Sequence, residues 1–344
     1  MTPRHIPWRG WRDIAWRTWR EIAEDRLSVV AGSVTYYSLL AIFPALGAFV
    51  SLYGLIADVA VVQDQLAQLS RILPSQAVVL LGEQMMRLAT REESGLSVAF
   101  IVSLILSIWS ASAGMRSLFD GLNTAYDEVE TRTFVKRTAL TYGFTIALLF
   151  AVALASAILV VAPRVLGALY LRAEVLGGLL WPALFLVAAG AFAVVYRYGP
   201  SRAPARWRWL TPGAAVAAAL WLGGSAGFSW YLGNVAHLDV TYGSLGTVIG
   251  FMLWLWFSVM VILIGAELNS EIEHQTALDS TTGAPQPMGE RGAVMADTVG
   301  LSFGGLRKSF TDLRGVARTR LGKISRTRPP APPVAPPGPR RSGA

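Results

Sequence analysis

Six long apolar segments follow one another along most of the chain, separated by more polar stretches. A helix needs roughly 20 mainly apolar residues to cross the hydrocarbon core of a bilayer. All six segments meet this length, so the pattern predicts an all-α integral membrane protein with a six-transmembrane-helix bundle. The predicted spans lie at about residues 29–57, 96–118, 138–162, 177–197, 211–233 and 243–267. The first apolar run begins near Val29 and is long enough to span, so no cleavable signal peptide is expected.

Arginine and lysine are concentrated in alternate connections between the spans. If the N-terminus is inside, 14 of them lie before the first span, in residues 116–137 or in residues 197–208, against 5 in the outside connections. Another 11 follow the last span. Because cytoplasmic loops carry the excess of basic residues, both termini are predicted to lie in the cytoplasm.

Residues 1–27 are predicted to form an interfacial helix on the inner leaflet, because tryptophan and arginine alternate at helical spacing. One face holds Trp8, Trp11, Ala15, Trp19 and Ile22, and the opposite face holds Arg9, Asp13, Arg17 and Arg20. An ordinary juxtamembrane anchor is favoured over a specific lipid sensor, which stays open as the alternative.

The membrane domain is predicted to occupy residues 28–274, and a different composition follows it. Gly, Ser, Thr, Pro and Arg dominate residues 275–344, which end in RPPAPPVAPPGPRR. This composition predicts a disordered, basic cytoplasmic tail.

The composition excludes several kinds of chemistry. Cysteine is absent, which excludes disulfides and thiolate metal sites, and only three histidines are present. Neither HExxH nor a phosphate-binding GxxxxGK[ST] motif occurs. We therefore expect no enzyme, no catalytic residue, no metal and no cofactor. The middles of the spans also lack ionisable residues, which argues against a simple proton relay.

Polar residues do collect near the inner ends of the spans. Arg116, Asp120, Asn123 and Asp127 share one helix face because they are spaced at i, i+4, i+7 and i+11. On the same side, Glu267 and Asn269 close the sixth span, and Asp25 and Arg26 precede the first. One hypothesis is an inner-side functional network in which Arg116 pairs with Asp120 or Glu267. The other, slightly favoured, is that these residues only orient the helices.

The first span combines hydroxyl groups with a proline. Ser33, Tyr36 and Tyr37 face one way, and Pro44 is expected to kink the helix and free carbonyl groups of the preceding turn. Such helices line substrate paths in transporters, but plain packing is the favoured interpretation.

Glycines in the fifth and sixth spans indicate close helix packing. Gly223, Gly224 and Gly227 permit close backbone approach, and Gly246 with Gly250 forms a GxxxG pattern.

Several motifs taken together resemble the YihY/virulence factor BrkB family over about residues 25–274. They are AGSVTYYSLLAIFPAL, GLNTAYD, YRYGP, WLGGSAGFSWYL and YGSLGTVIGFMLWLWFSVMVILIGAELN. The residues that the resemblance marks are Tyr36, Tyr37, Pro44, Asn123, Tyr126, Asp127, Tyr242, Gly243, Glu267 and Asn269.

The resemblance implies a multi-pass protein of the bacterial inner membrane with about six spans. The family has no agreed catalytic residues, so none is carried over. Its names associate it with serum resistance, some relatives are implicated in moving lipid-like envelope precursors, and an older label is ribonuclease BN.

Three functions follow as hypotheses. The first is a transporter or flippase-like protein for a lipid or amphiphilic envelope component. The second is a non-transporting scaffold for envelope machinery, and the third, least favoured, is a tRNA-processing ribonuclease. The expected partners are membrane lipids, a lipid or amphiphile substrate and further copies of the chain, whereas nucleic acid is not expected.

Overall fold

Every regular element in the part of the chain that the structure describes is helical. The computed structural model describes residues 6–53, 78–79, 82, 96–168, 173–236, 238, 242–243 and 245–302. Within these ranges the extended backbone pairs only in an isolated bridge between Ala205 and Thr281. The all-α prediction is confirmed for the described residues.

Six of the described helices are long, one precedes them, and a single turn follows them. In chain order they are α1 (Trp8–Glu24), α2 (Leu27–Tyr53), α3 (Leu96–Ala125), α4 (Phe134–Ala168), α5 (Ala173–Tyr198), α6 (Trp207–Tyr231), α7 (Leu245–His274) and α8 (Val294–Asp297). A π-helical turn, Leu232–Ala236, continues α6.

Four described segments are long and apolar enough to cross a membrane: Ile101–Ala125, Phe134–Ala151, Leu180–Tyr198 and Leu245–His274. Leu27–Ile42 is a shorter apolar helix. The structure therefore supports membrane-spanning helices, while the count of six spans stays a prediction. Helices α3 and α7 each continue about two turns beyond the predicted spans, because partners at that end satisfy their polar side chains.

Helix α7 is the element on which the others assemble. It packs against α2, α3 and α6 along its length, and against α1 and α8 near its C-terminus. Helix α4 packs on α3, and α5 packs on α6. Leu122, Leu210 and Leu263 are fully buried where these helices meet. We call the end that carries α1, the α3–α4 and α5–α6 connections and residues 275–300 the α1 end.

Helices α6 and α7 approach most closely at two glycines. A β-carbon on Gly213 would lie well inside van der Waals distance of the Gly265 carbonyl oxygen, and one on Gly265 would meet the Tyr196 hydroxyl and Ala217. Of the glycines singled out from the sequence, Gly224 packs against Phe257 in the same way, whereas Gly223 and Gly227 have open space.

The charged face of α1 packs on the protein. Arg17 is 2% exposed and Ile14 is fully buried, whereas Trp8 and Trp19 are 81% and 78% exposed. The two predicted faces are present only in part: Trp8 and Trp19 point away from the bundle, but Trp11 and Ile22 pack on it, and Arg9 of the charged face is exposed. That α1 lies on a membrane surface stays a prediction.

The segment after α7 differs from the predicted disordered tail. Residues 275–300 fold back along the α1 end, where Thr282 N–H donates to Pro204 O at 2.9 Å and Ala203 N–H donates to Gly292 O at 2.9 Å. Arg291 is 8% exposed, with its guanidinium donating to Ala277 O at 2.8 Å. Composition suggested disorder, but these backbone and arginine hydrogen bonds hold the segment in place. Residues 303–344 lie outside the described residues.

We predict that Gly213→Ala destabilises the protein. The added methyl group has no room between α6 and α7, and overpacking of this kind costs about 1–3 kcal/mol. The unfolding temperature of the purified protein in detergent should fall.

Gly223→Ala on the same helix is the matched control, because its added methyl group meets nothing within 4 Å. Equal unfolding temperatures for the two variants would contradict the close crossing.

Candidate functional site

The last turns of α7 bury an unusually polar set of side chains. Three carboxylates, an amide and a hydroxyl occur there, all at most 2% exposed: Glu267, Asn269, Ser270, Glu271 and Glu273. Buried charges require partners, because removal from water costs several kcal/mol for each ion. The structure shows where those partners come from.

Asn269 binds the first turns of α6. Its Oδ1 accepts the Gly213 N–H at 2.8 Å, and its Nδ2 donates to Leu210 O at 3.0 Å. Pro212 lies between these two residues and cannot donate, so the regular helical hydrogen bonding is interrupted there. Asn269 therefore hydrogen-bonds the α6 backbone on both sides of Pro212, next to the glycine crossing.

Glu273 anchors the α5–α6 connection and the segment after α7 together. Its Oε2 accepts from Arg202 Nη2 at 2.6 Å and from Ser280 Oγ at 2.6 Å. The Arg202 and Glu273 side chains are 2% and 0% exposed. Burial tends to lower the pKa of Arg202, but the Glu273 carboxylate more than offsets this and raises it, so Arg202 stays a cation.

Two further carboxylates hold α1 and its connection to α2. Glu271 accepts a hydrogen bond from Arg17 of α1, and Arg17 also donates to Gln275 Oε1 at 2.7 Å. Glu267 lies beside the carboxyl group of Asp25, and burial raises the pKa of Asp25. Helix α7 thus fixes the position of the chain before the first long helix.

Asn123 ties the α3–α4 connection to the α5–α6 connection. Its Oδ1 accepts from Ser201 N at 2.7 Å, and its Nδ2 donates to Glu130 Oε2 at 3.2 Å. Arg132 continues the link, donating to Gly199 O at 2.7 Å. Burial tends to raise the pKa of Glu130, but hydrogen bonds from Arg132 and Asn123 lower it to about 2.

Tyr126 fills the space beneath these connections. Its side chain is fully buried, and the Arg202 guanidinium lies 4.9 Å from the centre of its ring. Burial raises the pKa of Tyr126 far above its ordinary value, an effect that nearby Glu273 strengthens and Arg202 opposes. Tyr126 therefore stays neutral, and its ring packs against the guanidinium group of the buried Arg202.

The same two connections form the walls of a cleft of about 360 Å³. Its charged lining residues are all basic: Arg132, Lys136, Arg197 and Arg202. Thr131 and Ser201 contribute hydroxyl groups, and Gly292 closes one side. We call this feature the basic cleft.

The four cations of the basic cleft differ in how they are compensated. Arg132 pairs with Glu130 at 2.8 Å and Arg202 with Glu273 at 2.6 Å. Lys136 is exposed, and neither it nor Arg197 has a carboxylate partner among the described residues. The Arg197 guanidinium lies 4.7 Å from the centre of the Trp207 ring and donates to Ala205 O. Two positive charges therefore remain available to an anion.

The basic cleft lies at the mouth of a gap between two long helices. Lys136 and Leu140 belong to the start of α4, and Arg197 and Tyr198 to the end of α5. In their described residues, α4 and α5 make at most marginal contact with each other. We call the space between the described parts of α4 and α5, which do not pack against each other, the α4–α5 gap; the basic cleft lies at the α1 end of these two helices.

The structure brings together part of the polar set predicted from the sequence. Asn123, Tyr126, Glu267 and Asn269 are all at most 5% exposed at the α1 end. Asp120 is more than half exposed and pairs with Arg137 at 2.5 Å. Arg116 pairs with neither Asp120 nor Glu267 in the described residues, so the predicted pairing is wrong. Arg137 reaches Asp120 because the start of α4 runs beside the end of α3.

Asp127 and Asp25 have different surroundings from the buried group. Asp127 is exposed and ends α3 with a φ of 53°. Asp25 is half-buried beside Glu267.

The remaining predicted residues lie away from the α1 end. Tyr36 is 57% exposed on α2, and Tyr37 packs beside Gly114 of α3. Helix α2 continues through Pro44. Tyr242 lies just before α7, whose rise of about 1.5 Å per residue separates its start from Glu267 by roughly 33 Å. Tyr242 and Glu267 therefore cannot belong to one compact site.

Sequence reasoning missed the residues that complete the cluster and form the basic cleft. They are Arg17, Arg132, Lys136, Arg197, Arg202, Glu271 and Glu273. The basic residues were interpreted only as evidence for topology. The usable signal was the recurrence of carboxylates in AELNSEIEH, directly after an apolar span, since carboxylates on a buried helix end require cations nearby.

The fold and this end of the bundle define a polytopic α-helical membrane protein. The family model described as Virulence factor BrkB matches residues 18–289. The chain therefore belongs to the virulence factor BrkB family, and the expected resemblance is confirmed. The match extends past α7 into the segment that packs on the α1 end.

Curated relatives carry two kinds of name. The ribonuclease-like protein YfkH of Bacillus subtilis (strain 168) is 28% identical over 72% of this chain and 90% of its own length. A UPF0761 membrane protein of Tolumonas auensis is 24% identical over 72% of this chain and 81% of its own. One of Alkalilimnicola ehrlichii is 26% identical over 70% of this chain, which matches 54% of that relative. No solved structure matches the chain.

We predict that Arg202→Met strongly destabilises the α1 end. The substitution leaves Glu273 buried without its cation, a change that costs about 3–5 kcal/mol. Adding Glu273→Gln to Arg202→Met should recover part of the loss, because the uncompensated charge is removed. Unfolding temperature in detergent reports both effects.

Arg208→Met is the matched control for Arg202→Met, since Arg208 is exposed at the start of α6. If Arg202→Met were no less stable than Arg208→Met, the buried ion pair would not hold this end together.

We also predict a pH-dependent effect at Glu130. Its pKa falls from an ordinary 4.5 to about 2 on folding, so its stabilising effect is complete above pH 4.5 and is lost as the pH falls toward 2. The difference in unfolding temperature between the wild type and Glu130→Gln should therefore shrink as the pH falls through this window. Exposed Glu290→Gln should show no such trend. A constant difference would contradict the link through Arg132.

Proposed function

We propose that this protein is a transporter or flippase-like protein that moves a lipid or amphiphilic envelope component across the bacterial inner membrane. In this proposal it is not an enzyme, and both termini lie in the cytoplasm, as the distribution of basic residues predicts. The α1 end then faces the cytoplasm. The observation that carries the proposal is the basic cleft at the mouth of the gap between α4 and α5.

The combination of cleft and gap matches the two parts of an amphiphile. A headgroup requires charged and hydrogen-bonding groups, which the basic cleft supplies through its cations and the Ser201 and Thr131 hydroxyls. Acyl chains require apolar surface, which α4 supplies through exposed apolar side chains such as Leu148, which is more than half exposed. A small ion would use the basic cleft but would not need the apolar surface of α4.

The surface between α2 and α3 gives further support. Ser33 and Ser117 hydrogen-bond across the two helices at 3.2 Å on an exposed surface, and Tyr36 is exposed on the following turn. Hydroxyl groups on the surface of membrane helices offer hydrogen bonds to a polar headgroup that leaves water. These residues correspond to the polar face of the first predicted span.

The ribonuclease alternative has one specific observation in its favour, the printed name of the Bacillus subtilis relative. It requires cleavage of tRNA precursors by the purified, nuclease-free protein. The scaffold alternative requires partners that are lost when the chain is shortened. Since the packed segment extends to Gly300, whose N–H donates to His274 O at 2.8 Å, the truncation that tests it should begin after Gly300.

We predict that the purified protein moves labelled phospholipid or lipid A precursor between leaflets of sealed liposomes, and that Leu140→Trp slows this movement. Leu140 lines the cleft at the start of α4, where a larger side chain narrows the entrance. A loss of about tenfold, a barrier increase of ~1.4 kcal/mol, is expected. Quenching of the outer-leaflet label measures the rate.

Ile146→Trp is the control on the same helix, because Ile146 is exposed, lies outside the cleft lining and lies about 120° around the helix from Leu140. Movement no faster than in empty liposomes would contradict transport by the protein alone. Equal rates for the two tryptophan variants would contradict passage at the α4–α5 gap.

A further inference from the structure

The lining of the basic cleft selects for an anion. Four basic side chains converge there from the start of α4, the end of α5 and the connection to α6, and no carboxylate lines the cavity in the described residues. Glu130 and Glu273 lie behind Arg132 and Arg202 and orient them. The open surface of the cleft is therefore positively charged, although Arg132 and Arg202 are each paired with a carboxylate behind that surface.

Two guanidinium groups at the cleft retain hydrogen-bonding capacity. Arg202 Nη1 and Arg197 Nε are buried and have no hydrogen-bond partner among the described residues. A buried donor without an acceptor is costly, and one bound oxyanion can accept several such hydrogen bonds. Lys136, exposed at the entrance, adds a mobile ammonium group. Arginine guanidinium groups and lysine ammonium groups are the usual side-chain ligands of phosphate in proteins.

The start of α4 adds to this preference. Arg132 and Lys136 flank its first residue, Phe134. The N-terminal end of a helix carries a partial positive charge and unpaired amide groups, both of which favour a phosphate.

The residues around the entrance place the cleft at a membrane surface. Phe134, Val135, Tyr198 and Trp207 are between 45% and 79% exposed, and all lie at helix ends beside the cleft. Exposed tyrosine and tryptophan at helix ends mark the level of the lipid headgroups. An anion bound in the cleft is therefore at headgroup depth, with the α4–α5 gap beside it for the attached chains.

We propose that the basic cleft binds the phosphate group of an anionic phospholipid, with Lys136 and Arg197 as its direct ligands and Arg202 as a buried third. A volume of about 360 Å³ accommodates a phosphate with a small polar substituent. The proposal names the substrate class and rests on the proposed function in taking this lipid as the transported molecule.

Binding by the full-length protein tests the proposal independently of transport. Native mass spectrometry of the detergent-solubilised protein would be titrated with phosphatidic acid and, in parallel, with diacylglycerol of the same chains, which lacks the phosphate. Phosphatidic acid should bind more tightly. Lys136→Gln and Arg197→Gln should each weaken it by about tenfold, ~1.4 kcal/mol, while leaving diacylglycerol unchanged.

Arg208→Gln, an exposed change outside the cleft, should bind phosphatidic acid like the wild type. Unchanged unfolding temperature of Lys136→Gln confirms that it folds, since Lys136 is exposed. Equal binding of the two lipids, or full binding by both cleft variants, would overturn the site.

Soluble competitors separate a lipid headgroup from free phosphate. Inorganic phosphate and glycerol 3-phosphate should displace phosphatidic acid only at concentrations far above that of the lipid. Displacement at equal concentrations would overturn the assignment to a lipid. If the protein binds phosphatidic acid selectively but moves no lipid, the proposed transport function is refuted and the phosphate site stands. If it moves lipid without preferring phosphatidic acid, the phosphate site in the basic cleft is refuted and the transport function stands.

Discussion

The burial of three carboxylates at the end of α7 is the constraint on which the arrangement of the α1 end depends. Glu267, Glu271 and Glu273 are at most 2% exposed, so each depends on groups brought by other parts of the chain. Arg17 of α1 and Arg202 of the α5–α6 connection supply cations to Glu271 and Glu273, whereas Glu267 lies beside the carboxyl group of Asp25, from the connection to α2. One helix end thereby fixes three separate segments, and the position of Arg202 sets one wall of the basic cleft.

The sequence predicted the membrane helices because apolar runs of spanning length leave few alternatives. It also predicted part of the two faces of α1, since a fixed helical period determines which residues share a face, but it did not show that Trp11 and Ile22 pack on the bundle. The continuation of α7 to His274 and the packing of residues 275–300 were not predictable in the same way. Both depend on tertiary hydrogen bonds, such as that from Ser280 to Glu273, whose partners are far apart in the chain or outside any repeating pattern.

The candidate site was predictable only in part, for a related reason. Asn123, Glu267 and Asn269 stand out because they are polar residues next to apolar runs. Arg197 and Arg202 do not stand out, because basic residues near the cytoplasmic ends of membrane helices are expected for topology alone. Only the fold shows that Arg197 and Arg202 converge with Lys136 of a different helix. Asp120 is a similar case, because it pairs with Arg137 of α4 and not with Arg116 on its own helix face.

The central claim is that the basic cleft receives a lipid headgroup while the α4–α5 gap receives its chains. The most direct measurement is an experimental structure of the full-length protein in nanodiscs that contain phosphatidic acid. The account predicts density for a phosphate between Lys136 and Arg197, with chain density continuing along the α4–α5 gap. An empty cleft, with α4 and α5 packed closely against each other, would contradict it.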